Sequence, residues 1–458
     1  MRGMNGEPIK PLPQEMRDAA PVLTRLQEAG HTAVFVGGCV RDMLLGLPLK
    51  DVDIASSASP EEVMELYPNS IPTGLQHGTV TVRHGGELYE VTTFRTEGEY
   101  ADHRRPSEVS FIRELAGDLQ RRDFTINAMA LHPDGALVDP FGGMSDLRRG
   151  LIRAVGNPEA RFGEDALRML RAVRFASVYG FRLSHSTWRA LLGHRGSLKH
   201  VAMERIGLEL DRIAAKGSIS SGVSWLYASG LAECFKEPLL LPDGLLPHPG
   251  PAHKHKMLHR KNEAADSLSG RLAALDKLAD GEQRWQGLFI VLGMDKDMAG
   301  EWFRRLRYSR ARKEKLESVL SIHRRMTGCG DKPVSSEWHA AVLGIGAEAA
   351  ESWLRLMEEA ASAGLGLDFE ALPPGCESSA AEIRTWMERM PVRGIGGLAV
   401  DGKDIQQRIG ARPGPWMGRL LERLALEAAG QSIPNERQPL LERAAELYDQ
   451  EQGGMAPS

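Results

Sequence analysis

Residues 34–54 read VFVGGCVRDMLLGLPLKDVDI, and this stretch decides how the start of the chain is interpreted. An apolar run leads into the glycine pair Gly37 and Gly38, a helix is predicted to follow directly, and the carboxylates Asp51 and Asp53 come next. Glycine adopts backbone conformations closed to other residues and leaves room for a phosphate. Free N–H groups at the start of a helix attract the same anion. The stretch therefore predicts a phosphate cradle beside two acids.

The two acids are interpreted as metal ligands. Side chains alternate between the faces of a β-strand, so Asp51 and Asp53 would point the same way if both lay on one strand. Mg²⁺ is commonly held by one or two carboxylates and completed by phosphates and water. An isolated Asp-x-Asp is more often a pair of solvated acids, but the glycine turn and Arg41, whose guanidinium suits oxygen ligands, favour the metal. The pattern predicts Mg²⁺ and nucleotidyl transfer.

A third acid is a candidate for the same place. Residues 78–94 have the pattern of a hairpin whose turn is HGG, and Glu90 lies on the second predicted strand. We assign Glu90 a secondary catalytic role, with a plain exposed strand acid as the alternative.

A predicted helix over EDALRMLRAVRFA at 164–176 carries a row of polar side chains. Asp165, Arg168, Arg171 and Arg174 recur every three residues, so each lies near the next along the helix. On the residues alone, an ordinary salt-bridged amphipathic helix explains the row as well as a binding function does.

Composition limits the class of protein. The chain has 458 residues, a length that predicts several domains. Its formal net charge of −4 restricts any RNA contact to local basic patches. It has no apolar run of about eighteen residues and no apolar core at its start like that of a signal peptide. Its four cysteines are far apart, which favours free thiols in a reducing compartment. We expect a cytoplasmic protein that does not contact a membrane.

The motifs occur in a fixed order. GGCVRD and DVD are followed by RRDFTINAMA at 121–130, DPFGGMSDLRRGLIRAV at 139–155 and EDALRMLRAVRF at 164–175. Over residues 15–215 this order and spacing resemble the class II tRNA nucleotidyltransferases, the bacterial CCA-adding enzymes of the DNA polymerase beta superfamily. Bacterial poly(A) polymerases share most of these motifs. The resemblance implies Mg²⁺-dependent addition of C, C and A to the 3′ end of tRNA from CTP and ATP, without a nucleic-acid template and with release of pyrophosphate.

The resemblance also implies roles for the motif residues. Gly37, Gly38 and Arg41 would bind the nucleotide, as would Arg122, while Asp123 would lie near the ribose. A helix is expected to begin near Phe124, so an N-cap is the alternative role for Asp123.

In the resembling family the motif EDALRMLRAVRF at 164–175 recognises the base. Asp165 and Arg168 would hydrogen-bond the base edges of CTP and ATP. Arg171 and Arg174 would orient this pair or contact phosphate, and Glu164 would support the start of the helix. Arg205 and Glu209, four residues apart, are expected to form a structural pair that braces the helix.

The character of the chain changes near residue 150. Short strand-like runs come before it, and helix follows helix after it. We predict an α+β protein with a polymerase-beta-like head and mixed β-sheet over 1–148, followed by an all-α neck over 149–216, body over 217–310 and tail over 311–458.

Three functions remain open at this stage. The first is complete CCA addition, the second is A addition alone or poly(A) synthesis, and the third is RNA binding without catalysis. The resemblance places the tail segment 397–424 against the tRNA elbow, with a packed helical terminus as the alternative. The basic run HKHKMLHRK at 253–261 is interpreted as a phosphate-binding patch.

The charged segment RTEGEYADHRRP at 95–106 generates a prediction. In the resembling family a loop at this place is needed for the terminal A, and it is shortened in enzymes that stop after CC. Deleting residues 97–104 should leave CC addition intact and abolish A addition, as measured on tRNA that lacks CCA. A variant that still adds A would contradict this interpretation.

Overall fold

The computed structural model describes residues 11–97, 109–239, 263–328, 332–364 and 379–453. The chain separates into two compact units, Met1–Leu240 and Leu241–Ser458. The predicted patch at 253–261 lies outside the described residues, as does most of the predicted loop at 95–106.

The strands of the first unit occur in chain order. They are β1 (Ala33–Val36), β2 (Asp53–Ser56), β3 (Ile71–Gly74), β4 (Thr79–His84), β5 (Glu87–Thr93), β6 (Arg95–Glu97), β7 (Val109–Phe111), β8 (Ala130–Leu131), β9 (Leu137–Val138), β10 (Leu151–Ile152) and β11 (Arg182–Leu183).

The helices of the first unit lie between and after these strands. They are α1 (Gln14–Glu28), α2 (Gly38–Leu45), α3 (Pro60–Leu66), α4 (Leu115–Gln120), α5 (Gly143–Arg149), α6 (Pro158–Glu164), α7 (Leu167–Tyr179), α8 (His185–His194), α9 (Met203–Lys216) and α10 (Ile219–Ser229).

A seven-stranded mixed sheet forms the head, in the order β3-β4-β5-β2-β1-β8-β9. The β2–β5 pair is parallel and the other neighbours are antiparallel. The predicted hairpin is confirmed: β4 and β5 are joined by Gly85 and Gly86, which both have positive φ, as a tight turn between twisted strands requires. The prediction of a mixed-sheet head followed by helices is therefore confirmed.

Alternation along the central strands separates the two faces of the sheet. Val34, Val36 and Ala55 form one buried cluster together with Leu119 of α4. Their neighbours along β1 and β2 point to the other face, and α1 packs against β1 and β4. Asp53 lies two residues from Ala55, so it shares the α4 face and is separated by the sheet from α1.

The neck differs from the prediction in one detail. It is not wholly helical, because β10 and β11 form a small parallel sheet. This pair fixes the end of α5 beside the segment that follows α7, since Arg182 donates its backbone N–H to the carbonyl of Gly150 at 2.9 Å.

The described residues of the second unit form helices and the segments that connect them, with no β-strand. Its helices are α11 (Glu263–Leu275), α12 (Gly281–Val291), α13 (Lys296–Arg305), α14 (Arg310–Thr327), α15 (Val334–Ile345), α16 (Ala347–Ser362), α17 (Ala380–Arg389), α18 (Gly402–Ile409), α19 (Pro415–Ala429) and α20 (Arg437–Gly453). Aromatic side chains fill part of its core: the rings of Trp338 and Trp353 are 5.7 Å apart. In the described part of the chain no helix is long and apolar enough to span a membrane.

Candidate active site

The glycine turn, Asp53 and Arg122 converge at the end of β1. Gly37 has φ 72° and ψ −128° and immediately precedes α2, which begins where it was predicted. A Cβ on Gly37 would lie 2.9 Å from Arg122 Nη1 and 3.7 Å from Asp53 Oδ2. Glycine is required here by the backbone conformation, which other residues rarely adopt, and a Cβ would also displace the Arg122 guanidinium. Gly38 was expected to need such a conformation as well, but it is the first residue of α2 and has no positive φ.

The predicted acids come together differently from the expectation. Strand β2 begins at Asp53, so Asp51 precedes the strand instead of sharing it. Glu90 is the register partner of Asp53 on the parallel strand β5, which places both side chains on one face. Burial raises the pKa of Asp53 above its usual value, Arg122 opposes that shift, and the charges of Glu90 and Asp51 add to it.

This electrostatic environment suits a cation. The carboxylates of Asp53, Glu90 and Asp51 repel one another, so a bound divalent cation would stabilise them. Carboxylate oxygens are ligands that Mg²⁺ prefers. Among the described residues, however, no three histidine, cysteine or acidic side chains come close enough to form a metal site.

Arg41 is buried beneath the glycine turn. Its Nη1 donates to Asn127 Oδ1 at 2.5 Å, while its Nε and Nη2 donate to the two carboxylate oxygens of Asp42 at 2.8 and 2.9 Å. Its guanidinium also lies 4.9 Å from the ring centre of Tyr179, whose hydroxyl donates to Asp42 at 3.0 Å. These contacts support the turn from below, and direct phosphate contact by Arg41 stays a prediction.

Arg122 is positioned by an acid that the sequence analysis missed. Asp118 of α4 is fully buried, and it accepts from Arg122 Nη2 at 3.1 Å and from Arg121 Nη2 at 2.7 Å. Burial alone would raise the pKa of Asp118, but the two guanidinium groups hold it below its usual value. The spacing of three and four residues before the arginines was the available signal.

Asp123 is a buried connector. The helix expected near Phe124 is wrong, since only a 3₁₀ turn at Thr125–Asn127 forms there and no side chain caps it. Asp123 Oδ1 accepts from the backbone N–H of Phe124 at 2.8 Å and from Asn127 Nδ2 at 3.0 Å, and Oδ2 accepts from Arg171 Nε at 2.8 Å. Although burial raises the pKa of Asp123, Arg171 and these hydrogen bonds lower it to about 2.

Asp165 lies between two helices. The single helix predicted over 164–176 is wrong at its start: α6 ends at Glu164, Asp165 is extended with φ −136°, and α7 begins at Leu167. Asp165 Oδ1 accepts from the backbone N–H of Leu167 at 3.1 Å, and Oδ2 accepts from Arg205 Nη2 at 2.8 Å. This break presents the carboxylate at the amino end of α7.

Arg168 is held by contacts on three sides. It forms an ion pair with Glu164, its Nη1 donates to the carbonyl of Arg161 at 3.2 Å, and its Nη2 donates to the carbonyl of Arg121 at 3.1 Å. Glu164 therefore positions Arg168 directly, which is more than the support for the helix start that we expected. The contact with Arg121 also places Arg168 beside the segment that carries Arg122.

The remaining arginines of α7 anchor the helix. Arg174 Nε lies 2.6 Å from Glu209 Oε2, and its guanidinium lies 4.1 Å from the ring centre of Phe175. The expected pairing of Arg205 with Glu209 is wrong for the described chain, because Arg205 contacts Asp165 and Glu209 contacts Arg174 and Arg212. Both α9 residues brace the segment 165–174, but they do so separately.

Comparison with known proteins gives the family. Residues 33–153 match the model of the poly A polymerase head domain, and residues 276–444 match a putative second domain of tRNA nucleotidyltransferase. The CCA-adding enzyme of Geobacillus stearothermophilus is 37% identical over 92% of this chain and 95% of that protein. The chain belongs to the CCA-adding enzyme family. The CCA-adding enzyme of Streptococcus mutans is 34% identical over 95% of this chain and 98% of that protein.

A solved structure agrees with this family membership. The crystal structure of the Bacillus stearothermophilus CCA-adding enzyme in complex with CTP has a TM-score of 0.76 and 33% identity to this chain. The match covers 97% of this chain and 100% of that one. The fold is therefore that of a CCA-adding enzyme from head to tail.

The low pKa of Asp123 predicts how stability depends on pH. Because its pKa falls from 3.8 to about 2 on folding, its contribution is fully present above about pH 4 and is lost as the pH falls toward 2. The parent should have a larger unfolding free energy than Asp123→Asn. We expect this difference to decrease by about 2 kcal/mol across that range.

Urea titrations at several pH values measure this difference in unfolding free energy. Asp134→Asn, which changes an exposed aspartate between β8 and β9, is the matched control and should show no comparable trend. A difference in unfolding free energy between the parent and Asp123→Asn that stays constant as the pH falls would contradict the prediction.

Proposed function

We propose that this chain adds C, C and A in turn to the 3′ end of tRNA, using CTP and ATP, releasing pyrophosphate and using no nucleic-acid template. The observation that carries the proposal is the adjacency of two sites in the first unit. The glycine turn, Asp53 and Arg122 form a phosphate and metal site, and Arg168 contacts the backbone of Arg121 next to it. One nucleotide can therefore place its triphosphate at the first site and its base at the second.

Asp51 and Asp53 are the residues that would hold Mg²⁺. When bound, such an ion lowers the pKa of an attacking hydroxyl and stabilises charge on the phosphates. Arg122 offers a guanidinium to the triphosphate, and Asp118 keeps that guanidinium in place. Gly37 leaves the space in which the phosphates approach the backbone, and the N–H groups at the start of α2 attract them. Glu90, beside Asp53, adds negative charge that strengthens cation binding.

Base choice is assigned to Asp165 and Arg168. Cytosine and adenine both present an exocyclic amino group beside an acceptor, so a carboxylate accepts from the amino group and a guanidinium donates to the acceptor. Uracil and guanine present a carbonyl where the amino group should be, which leaves the carboxylate unpaired. Arg205 and Glu164 hold the pair in position before a base arrives. Such preorganisation limits the cost of ordering these side chains on binding.

The same proposal includes the second unit. The tail segment 397–424, now seen to contain α18 and most of α19, would contact the folded tRNA away from its 3′ end. Recognition of shape requires contacts to the RNA backbone more than to particular bases. These substrates place the reaction in the cytoplasm.

The products formed on truncated tRNA test the activity. We expect tRNA that lacks CCA to gain CC with CTP alone and CCA with both nucleotides, and CC-ended tRNA to gain a single A. Addition of A only to CC-ended tRNA, or synthesis of long A tails, would replace the proposal by the A-adding or poly(A) alternative. Asp53→Asn and Asp51→Asn should each lower the rate at least about 100-fold, with Asp134→Asn at the parent rate.

Asp165→Ala tests base choice. Removing the acceptor for the amino group should reduce the preference for CTP over UTP by about 10- to 100-fold, because one charged hydrogen bond is lost. Competition between CTP and UTP for incorporation measures this. Glu204→Ala, at an exposed acid of α9, is the control. Unaltered preference in Asp165→Ala would assign base selection to other residues.

A further inference from the structure

The neck contains a long stretch without acidic residues. Between Asp165 and Glu204 there is no aspartate or glutamate, whereas seven arginine and lysine residues occur. Three of these, Arg168, Arg171 and Arg174, belong to the site described above. The other four lie on or beside α8 and the 3₁₀ turn that continues it, Arg195–His200.

The basic residues outside the active site share a surface with two glycines. This surface, here named the α8 basic face, consists of the exposed residues Arg182, His185, Arg189, Gly193, Gly196, Lys199 and His200.

The α8 basic face follows one row along the helix. His185, Arg189 and Gly193 are spaced by four residues, so they lie above one another on α8. Arg195 keeps helical backbone angles, φ −51° and ψ −33°, so the chain continues into the 3₁₀ turn without a break. Residues three apart line up in a 3₁₀ turn, which places Gly196 and Lys199 on one side of it. The row extends for about 20 Å.

Three cations of this face, Arg182, Arg189 and Lys199, are not neutralised by the part of the chain that the structure describes. Across the described residues, Arg182, Arg189 and Lys199 form no ion pair and no side-chain hydrogen bond. The acids on elements that contact this region are Glu159 and Glu164 of α6 and Glu233 of the short turn after α10. Within the described chain none of them pairs with these three residues, and Glu164 pairs instead with Arg161 and Arg168. This contrasts with α14, where Arg310 pairs with Glu314 and Lys313 pairs with Glu317. A polyanion would therefore meet available positive charge on the α8 basic face.

The two glycines provide an independent observation. Neither Gly193 nor Gly196 has a positive φ, and a Cβ at either position would have no other atom within 4 Å. Neither backbone conformation nor packing requires glycine here, although glycine within a helix costs about 1 kcal/mol relative to alanine. Bare backbone between Arg189 and Lys199 allows a ligand to approach the helix closely.

We propose that the α8 basic face binds the phosphate backbone of the RNA substrate, as a docking surface in addition to the catalytic site. This inference rests on the proposed function, which supplies the RNA. The partner is a sugar–phosphate backbone, because the face offers point charges, a guanidinium fork and bare peptide but no acidic acceptor for base amino groups. The contacts are therefore independent of tRNA sequence.

Arg189→Gln combined with Lys199→Gln tests the face. We expect the dissociation constant for tRNA lacking CCA to rise about tenfold, and the slope of log affinity against log salt to fall by about 2 between about 50 and 200 mM salt. The dissociation constant for CTP alone should equal that of the parent. Arg189→Lys with Lys199→Arg, which keeps both charges, should bind tRNA within about twofold of the parent.

Arg17→Gln combined with Arg25→Gln is the matched control. It removes the same charge from exposed positions of α1, which packs on the face of the sheet away from Asp53. An unchanged salt slope in the Arg189 and Lys199 variant, or an equal change in this control, would overturn the proposal. Because binding is measured without turnover, a chain that docks tRNA in this way but adds no nucleotide would refute the proposed function alone.

Gly193→Gln tests the role of close approach. Since a Cβ there would have no other atom within 4 Å and glutamine favours a helix more than glycine does, the melting temperature should equal or exceed that of the parent. The affinity for tRNA should nevertheless fall at least about threefold, because the added side chain holds the phosphates away from the helix. If Gly193→Gln is as stable as the parent and binds tRNA with the same affinity, the glycines are not part of the proposed surface.

Discussion

The ion pair between the buried Asp123 and the partly exposed Arg171 is the interaction on which the first unit depends. It joins the loop that follows Arg122 to α7, and Asn127 extends it to Arg41 below the glycine turn. Removing the Arg171 guanidinium would leave the buried Asp123 charge without its compensating partner, which destabilises the fold. The proposed phosphate site and the proposed base site are thereby held in a fixed relation, although they come from segments far apart in sequence.

The far end of α7 is attached to the same network. Tyr179, the last residue of the helix, contacts Asp42 through its hydroxyl and Arg41 through its ring. Burial, with Asp42 adding to the effect, raises the pKa of this hydroxyl to about 12, so it remains a hydrogen-bond donor at neutral pH. These two attachments, at Arg171 and Tyr179, lie about two turns apart and prevent α7 from pivoting, which matters because Asp165 and Arg168 lie at its amino end.

Sequence predicted the local elements of the site well, and predicted long-range partners poorly. The hairpin turn at Gly85 and Gly86 and the start of α2 follow from glycine chemistry and periodicity, which act over a few residues. The break at Asp165 was missed because the apolar spacing continues through it. The partner of Asp165 is Arg205, which lies on another helix and binds the carboxylate outside α7. A local pattern does not contain this long-range contact.

Register across the sheet was also beyond local patterns. The pairing of Asp53 with Glu90 depends on β2 and β5 being parallel neighbours. The hairpin pattern between residues 78 and 94 does not predict which strand pairs with the other edge of β5. Arg41 shows the opposite case: its position in the glycine motif suggests phosphate, yet Asp42 and Asn127 occupy three of its donors. A motif identifies which residues gather at a site, whereas burial decides which of them can reach the ligand.

Charge distribution explains how a chain with a net charge of −4 can serve an RNA substrate. Net charge governs solubility and long-range attraction, but binding depends on the local field. In the segment 166–203 the inward arginines are compensated by acids from other segments, namely Asp123, Glu164 and Glu209. The outward residues Arg182, Arg189 and Lys199 receive no such compensation within the described chain. One acid-free segment thus supplies neutralised arginines that build the site and unneutralised charges that face solvent.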